Sequence, residues 1–481
     1  MKKMVKGYHV YININNLDDI LSKEESKTNE LKKAFHQLDT YVATVENYIS
    51  RKGAKGVVEK LTASRLHLYF ICEEDDIFMQ NEVFKTIAFS YHMAEYISKK
   101  IAKYNNVLNY GIGVGVDYGD FTIFTFEEKD TGIKEITSIG YPANRAAKLQ
   151  SITKSGKVAI SNNVHDMLNS DLHRAFFGNE LEYQRATLRY AEMTVSDCKL
   201  EDLENFFADE DYDSDEEFAR NRANSIDISE VEFSDSRKKV DYSELTLRNN
   251  RQIEGIMLFA DIRGFTKKFD PTGENLPKMK KATEKILRAL YQCVRDEDGV
   301  HVQFQGDRIS AFFHEHNSEE GDYIIRAYRC ALSIIDAVSE LNQSQEIKDA
   351  LGDQRLCVGV GCGCGDIYAT RLGMKNQKDN IAMGQTVQEA DFAEDNVAGV
   401  GVGANSTEIA VTEECYNRLS DSKNPLSKVI KVAFSKREKH YIDSKGLEEI
   451  IDSEEKKRER NNYEEAKKTT TVKPWKRKYH L

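Results

Sequence analysis

FADIRGFT (residues 259–266) and QGDRIS (residues 305–310) are the two stretches on which the fold turns. The first closes the apolar run IEGIMLFADI, so it reads as a buried strand with Asp261 at its end, where a loop begins. The second puts Asp307 in the tight turn of a hairpin, VQFQGDRISAFF. Adjacent strands would bring Asp261 and Asp307 together. Two carboxylates that share a site repel each other, and divalent cations relieve that repulsion. Two ions about 3.5–4 Å apart can clamp both oxygens of a phosphoryl displacement. The turn from Ile262 to Thr266 can offer backbone N–H groups to phosphate oxygens.

Working outward, the chain repeats itself. GIGVGVDYGD (111–120) resembles VGVGCGCGDI (358–367), and Gly115 matches Gly361 at an offset of 246. TSIGYPANRAAKLQ (137–150) resembles IAMGQTVQEADFAE (381–394), with Gly140 on Gly384 at 244. YHVYININNL matches IMLFADIRGF, with Asn13 on Asp261 at 248. Three separated matches near one offset indicate an internal duplication.

Each half has the same order of elements: a strand, a helix, a hairpin, a second helix, a glycine-rich strand, another strand and a short helix. Leu31, Phe35, Leu38, Val42, Val45 and Ile49 share one helical face, as do Met279, Ile286, Leu290 and Val294. Strands and helices mixed around one sheet predict an α+β sandwich in each half.

The length of 481 residues allows two or three units. Residues 201–217 hold ten acidic residues and no basic one, which predicts a self-repelling linker. The expected organisation is 1–198, an acidic linker at 199–248, a second domain at 249–445 and a charged tail at 446–481. A net charge of −12 argues against nucleic acid or an anionic membrane as partner. No apolar run reaches the roughly 20 residues of a membrane span, and the start lacks a signal-peptide core, so a cytoplasmic protein is expected. The eight cysteines form no CxxC pair and read as reduced and mostly buried. His314 and His316 fall in a charged turn and read as solvated. P-loop, HExxH and GxSxG signatures are absent.

FADIRGFT, QFQGDRISAFF, GCGCGDIYATRLG and MGQTVQEAD together resemble the class III nucleotide cyclases, well over about 250–400 and weakly over about 5–150. The resemblance implies two ferredoxin-like (βαββαβ) domains in tandem, paired within one chain as a pseudo-heterodimer. It implies two divalent cations, Mn²⁺ or Mg²⁺, held by Asp261, Asp307 and the backbone carbonyl of Ile262. Phe265 and Thr266 fall on the phosphate-facing loop. The second half departs from the family elsewhere: Gln303 stands at the base-contacting position, Gln388 at the family Asn and Phe392 at the family Arg.

The first half departs in the complementary way. Asn13 and Ser64 occupy the aspartate positions and cannot hold two metals. Lys60 and Thr137 fall on the base-contacting positions, Asn144 on the ribose-orienting Asn and Lys148 on the transition-state Arg. Asn144 and Lys148 are i,i+4 and share a helical face. Arg145 points about 100° away. The pair implies one competent site and one dead one, turning a nucleoside triphosphate into a 3′,5′-cyclic nucleotide and pyrophosphate. A compact chain of this kind resembles the bacterial pyrimidine cyclases of Pycsar antiphage systems, with CTP slightly before UTP and a separate effector protein reading the product. ATP is the alternative substrate, since Lys60 with Thr137 resembles purine readers. A non-catalytic nucleotide-binding module is a further alternative. A diguanylate cyclase is disfavoured, because QGDRI lacks the second acidic residue of a GGDEF-like hairpin. A single chain supplies both halves, so a monomer suffices and a homodimer stays open.

Overall fold

Alternation along β1 (Met4–Ile14) buries Tyr8, Val10, Ile12 and Ile14 against helices and turns His9, Tyr11 and Asn13 to the other face. The same choice is made in β10 (Asn250–Ile262), where Ile256, Leu258 and Ala260 face the helices and Met257 and Phe259 face away. These two strands are the centres of two sheets in a computed structural model. Its described residues are 4–17, 28–51, 56–72, 77–104, 109–128, 132–168, 177, 181–183, 188–194, 212–269, 273–316, 322–374, 378–399, 408–421, 427, 430–431, 434–437 and 440–443.

The first half continues with β2 (Gly56–Thr62), β3 (Arg65–Ile71), β4 (Ile112–Glu128), β5 (Ile133–Ile139), β6 (Lys157–Ser161), β7 (Leu181–Tyr183) and β8 (Leu188–Thr194). Between the halves runs β9 (Phe233–Ser234). After β10 come β11 (Val300–Gln305), β12 (Arg308–His314), β13 (Val358–Leu372), β14 (Asp379–Met383), β15 (Glu408–Thr412), β16 (Ser435–Arg437) and β17 (His440–Asp443). The first sheet is ordered β2-β3-β1-β4-β6-β8-β7, with β5 beside β4. The second is ordered β11-β12-β10-β13-β15-β17-β16, with β14 beside β13 and β9 beside β10. The two orders superpose strand for strand, as a duplicated α+β fold requires. Helices Thr28–Arg51 and Ile77–Lys100 cover one face of the first sheet; Leu276–Asp296 and Asp322–Leu341 cover the matching face of the second. The apolar positions expected on these helices are buried.

Each half lends an arm to the other. Phe124, Phe126 and Ile139, from β4 and β5, lie in the core of the second half. Tyr368, Leu372, Ile381 and Met383, from β13 and β14, lie in the core of the first. Lys280 and Arg288 on helix Leu276–Asp296 donate to the carbonyls of Ile123 (3.4 Å) and Glu127 (3.3 Å) on the incoming arm.

The connecting segment corrects the sequence reading. Residues 199–211 and the tail at 446–481 lie outside the described residues. From Tyr212 onward, however, the segment expected to be solvated is packed. Helix Asp213–Asn224 buries Ala219 and Ala223 against helix Thr28–Arg51. Its acidic side is neutralised by bases from the first half: Asp215 meets Arg51 at 2.5 Å and Glu216 meets His92 at 2.9 Å. Farther on, β9 pairs with β10, and Tyr242 and Leu245 join the inner cluster of the second half. His314 is likewise buried rather than solvated: its ring accepts the Val240 N–H at 3.2 Å, and burial pushes its pKa down to about 4. His316 pairs with Asp298 at 2.7 Å. The described cysteines are all buried, and among the described residues no helix is long and apolar enough to cross a membrane.

Candidate active site

β10 and β12 are antiparallel neighbours with Ala260 opposite Ile309, so the end of β10 and the β11–β12 turn meet at one edge of the sheet. Asp261 and Asp307 are thereby brought to the same place. Gly306 makes the turn at φ +69°, a conformation that costs a Cβ-bearing residue roughly 1 kcal/mol or more. Burial raises the pKa of both carboxyls. Arg308 and Arg263 partly offset this at Asp261, whereas the charge on Asp261 pushes Asp307 well above the ordinary range. A pair of carboxylates that resist ionising together fits a divalent-cation site. Among the described residues no group of three or more His, Cys, Asp or Glu side chains forms a cage; the arrangement implied by the sequence resemblance calls for two carboxylates and a backbone carbonyl. Ile262 can supply only that carbonyl, because its side chain is in the core.

Charged side chains around the pair brace it. Arg263 threads through the space where a Cβ on Gly359 would sit, and it bonds Glu394 at 2.5 Å. Arg308 lies 4.1 Å above the Phe259 ring and is bonded by Asp391, with Glu394 at 3.5 Å. Burial and Asp261 lift the Glu394 carboxyl to about 8. Behind the site, the turn Phe265–Lys268 has its Phe265 ring in the core against Phe269. Only the backbone of Phe265 can therefore face a phosphate; the Thr266 side chain lies outside the described residues.

Across the cleft, helix Tyr141–Ile152 of the first half packs on that turn. Asn144 Oδ1 lies 3.9 Å from where a Cβ on Gly306 would be, beside the turn that carries Asp307. Lys148 is exposed one helical turn further on. Arg145 points elsewhere, as expected, pairing with Asp117 at 3.1 Å and Asn162 at 2.8 Å. In the second half Phe392 is 60% exposed at the position of Lys148.

The opposite site is closed. Ser64 and Asn13 bond each other, Asn13 bonds Asn15 (2.8 Å), and Gln150 reaches Asn15 (3.4 Å). Asn15 and Gln150 occupy the positions of Arg263 and Glu394, so the positions of Asp261, Asp307, Arg263 and Glu394 are amide or hydroxyl in the first half, while Arg65, opposite Asn13 at the start of β3, keeps the charge of Arg308.

Lys60 and Thr137 are both buried. The Thr137 hydroxyl donates to Glu59 at 3.5 Å, and Glu59 also takes the Ser138 N–H (3.0 Å) and hydroxyl. Lys60 does not face an open cleft. Its ammonium is held by Glu135 (3.1 Å) and by the Phe304 carbonyl of the second half (2.5 Å). Sequence reasoning missed Glu135, His301 and Asp379, which flank this junction. The signal was there: Glu135 and Asp379 are both acidic and match at the offset of 244 that relates Gly140 to Gly384.

Residues 249–450 match the family model of the adenylate and guanylate cyclase catalytic domain. The chain is 24% identical over 439 residues to a uridylate cyclase of Pseudomonas aeruginosa, covering 86% of this chain and 78% of that protein. Its fold is similar to that of a class III adenylyl cyclase-like ATP-binding protein from Pseudomonas aeruginosa, with a TM-score of 0.68 over 86% of this chain and 85% of the other, at 22% identity.

Proposed function

We propose that this chain, whose residues 249–450 match the family model of the adenylate and guanylate cyclase catalytic domain, is a nucleotide cyclase with one working site built across its two halves. The observation that carries the reading is Asn144 of the first half seated beside the Gly306–Asp307 turn of the second, while Asn13 and Ser64 close the other site on themselves.

Asp261, Asp307 and the Ile262 carbonyl would hold two divalent cations, Mn²⁺ or Mg²⁺. When bound, these neutralise triphosphate oxygens and lower the pKa of a hydroxyl. Backbone N–H groups of the turn at Phe265 and Thr266 face the phosphates. Asn144 orients the ribose so that its 3′-oxygen lies in line with the α-phosphorus. The 3′-hydroxyl gives its proton to solvent as its oxygen bonds the α-phosphorus and the bond to pyrophosphate breaks, and Lys148 meets the negative charge that builds on the α-phosphate oxygens.

The proposed substrate is a pyrimidine nucleoside triphosphate. Similarity to a uridylate cyclase supports this, and so does a Lys60 ammonium already engaged by Glu135 and Phe304 rather than offered to a purine. Nothing supports CTP over UTP, so UTP is tested first. A soluble adenylate cyclase is the second reading, favoured by Lys60 and Thr137 standing at the base-contacting positions. The cyclic product would act on a separate effector protein in antiphage signalling in the cytoplasm.

The test is to incubate the protein with Mn²⁺ and each of UTP, CTP, ATP and GTP, and to identify products by mass spectrometry. A 3′,5′-cyclic pyrimidine nucleotide supports the proposal. Cyclic AMP alone replaces the base assignment, and metal-dependent binding with no product points to a pseudocyclase.

A further inference from the structure

Four hydrogen bonds join the halves at their pseudo-twofold axis in two matched pairs. The Phe304 N–H donates to Glu135 (3.0 Å) and the Leu61 N–H to Asp379 (2.7 Å). Lys60 Nζ donates to the Phe304 carbonyl (2.5 Å) and Gln303 Nε2 to the Leu61 carbonyl (2.8 Å). The backbone halves of the pattern are equivalent, but the charges are not. Glu135 also binds Lys60 (3.1 Å) and His301 (2.5 Å), so its carboxylate holds groups from both halves. At the matching position Asp379 takes the Leu61 N–H, and the residue that matches Lys60 is the neutral Gln303, which donates to the Asn380 carbonyl at 2.6 Å. Phe304 is three residues before Asp307 on the strand that enters the metal-binding turn.

We infer that Glu135 is a positioning residue: it ties Lys60 of the first half to the β11 strand of the second, and so fixes where Asp307 stands relative to Asn144. Lys60 on this view is a cross-half clamp and not a reader of the base. The inference rests on the proposed cyclase reading, and deepens it by assigning work to a carboxylate at the junction that contacts both halves. Without the carboxylate, a buried ammonium and a buried N–H lose their partner together, and the strand ahead of Asp307 is free to shift. Small displacements of a reacting group lower turnover while leaving ground-state binding nearly unchanged.

The experiment compares Glu135→Gln, Lys60→Met, their double variant and Asp379→Asn, each checked for folding by circular dichroism. The expected result is a fall in kcat of at least tenfold for Glu135→Gln and Lys60→Met, with KM within about threefold. The double variant should be no worse than the singles, the ranking of the four triphosphates should not change, and Asp379→Asn should keep kcat within about twofold. An equal loss in Asp379→Asn would reduce Glu135 to an ordinary interface contact. A changed base ranking in Lys60→Met, with Glu135→Gln unaffected, would return Lys60 to base reading. If the wild-type protein makes no cyclic nucleotide, the cyclase reading fails separately. The clamp is then decided by amide hydrogen exchange, where faster exchange across residues 300–308 in Glu135→Gln supports it and unchanged protection overturns it.

Discussion

Ser64 donates a 2.8 Å hydrogen bond to Asn13, and these are the two positions at which the second half carries Asp307 and Asp261. One fold thus holds two solutions for the same pair of positions: a charged pair that needs a counter-ion, and a neutral pair that satisfies itself. Substituting Asn13→Ala with Ser64→Ala should leave turnover within about twofold, whereas Asp261→Asn should remove nearly all of it. Steady-state rates of product formation check both.

The charged pair also sets a pH dependence. Asp261, Asp307 and Glu394 have folded-state pKa values above the ordinary carboxylate range, with Glu394 near 8. The folded protein therefore keeps protons that the unfolded chain releases above about pH 4. The stability they contribute is complete below that pH and is lost as pH rises through the folded values. In EDTA, Tm should fall from pH 5.5 to 8.5, and Mn²⁺ should flatten the fall. Glu46, Glu297 and Asp379 are raised too, to about 8, 7 and 7, and they tilt both curves alike. The difference between the curves is thus the test, and parallel curves would mean that no cation enters.

Asn144→Ala should lower kcat by about 100-fold, the scale of a lost positioning or charge-stabilising group, with the fold intact. Gly306→Ala should act on the same pairing from the other side. It strains a turn at φ +69° and puts a methyl 3.9 Å from the Asn144 oxygen. A wild-type rate in Asn144→Ala would show that the cleft is not shared.

Lys148 stands where the sequence resemblance calls for an arginine. Lys148→Ala should reduce kcat with little change in KM, and Lys148→Arg should be at least as fast as wild type, because a planar guanidinium offers two donors to a phosphate. Rates at saturating substrate separate these outcomes.

The connecting segment meets both halves at Arg222. Its guanidinium binds Asp39 of the first half (2.7 Å) and the Gly373 carbonyl of the second (3.3 Å), and Asp39 takes the Gly373 N–H (3.2 Å). Arg222→Met leaves a buried carboxylate without its cation and should cost about 2–4 kcal/mol, measured by urea unfolding at pH 7.5.

The repeat was legible in the sequence because strand and helix periodicity survive divergence; the offsets of 244–248 place β1 on β10 and the two glycine-rich strands on each other. The placement of Asp261 at a strand end and of Asp307 in a hairpin turn was legible in their local sequence, whereas Asn144 was singled out by the family resemblance and its place beside Gly306 follows only from the pairing of the halves. The packing of residues 212–247 was not. The ten acidic residues of 201–217 dominate the reading, while the bases that meet two of them, Arg51 at Asp215 and His92 at Glu216, lie more than a hundred residues away in the sequence. Lys60 was legible as a position but not in its contacts, since Glu135 and Phe304 reach it only through the pairing of the halves.

The exchanged arms have a thermodynamic consequence. Phe124 and Phe126 complete a core that their own half does not contain, and Tyr368 and Leu372 do the same in return. Neither half can unfold without tearing a hole in its neighbour, so the molecule should melt in one sharp step despite its two sheets. A nucleotide gripped between them would hold both shut at once.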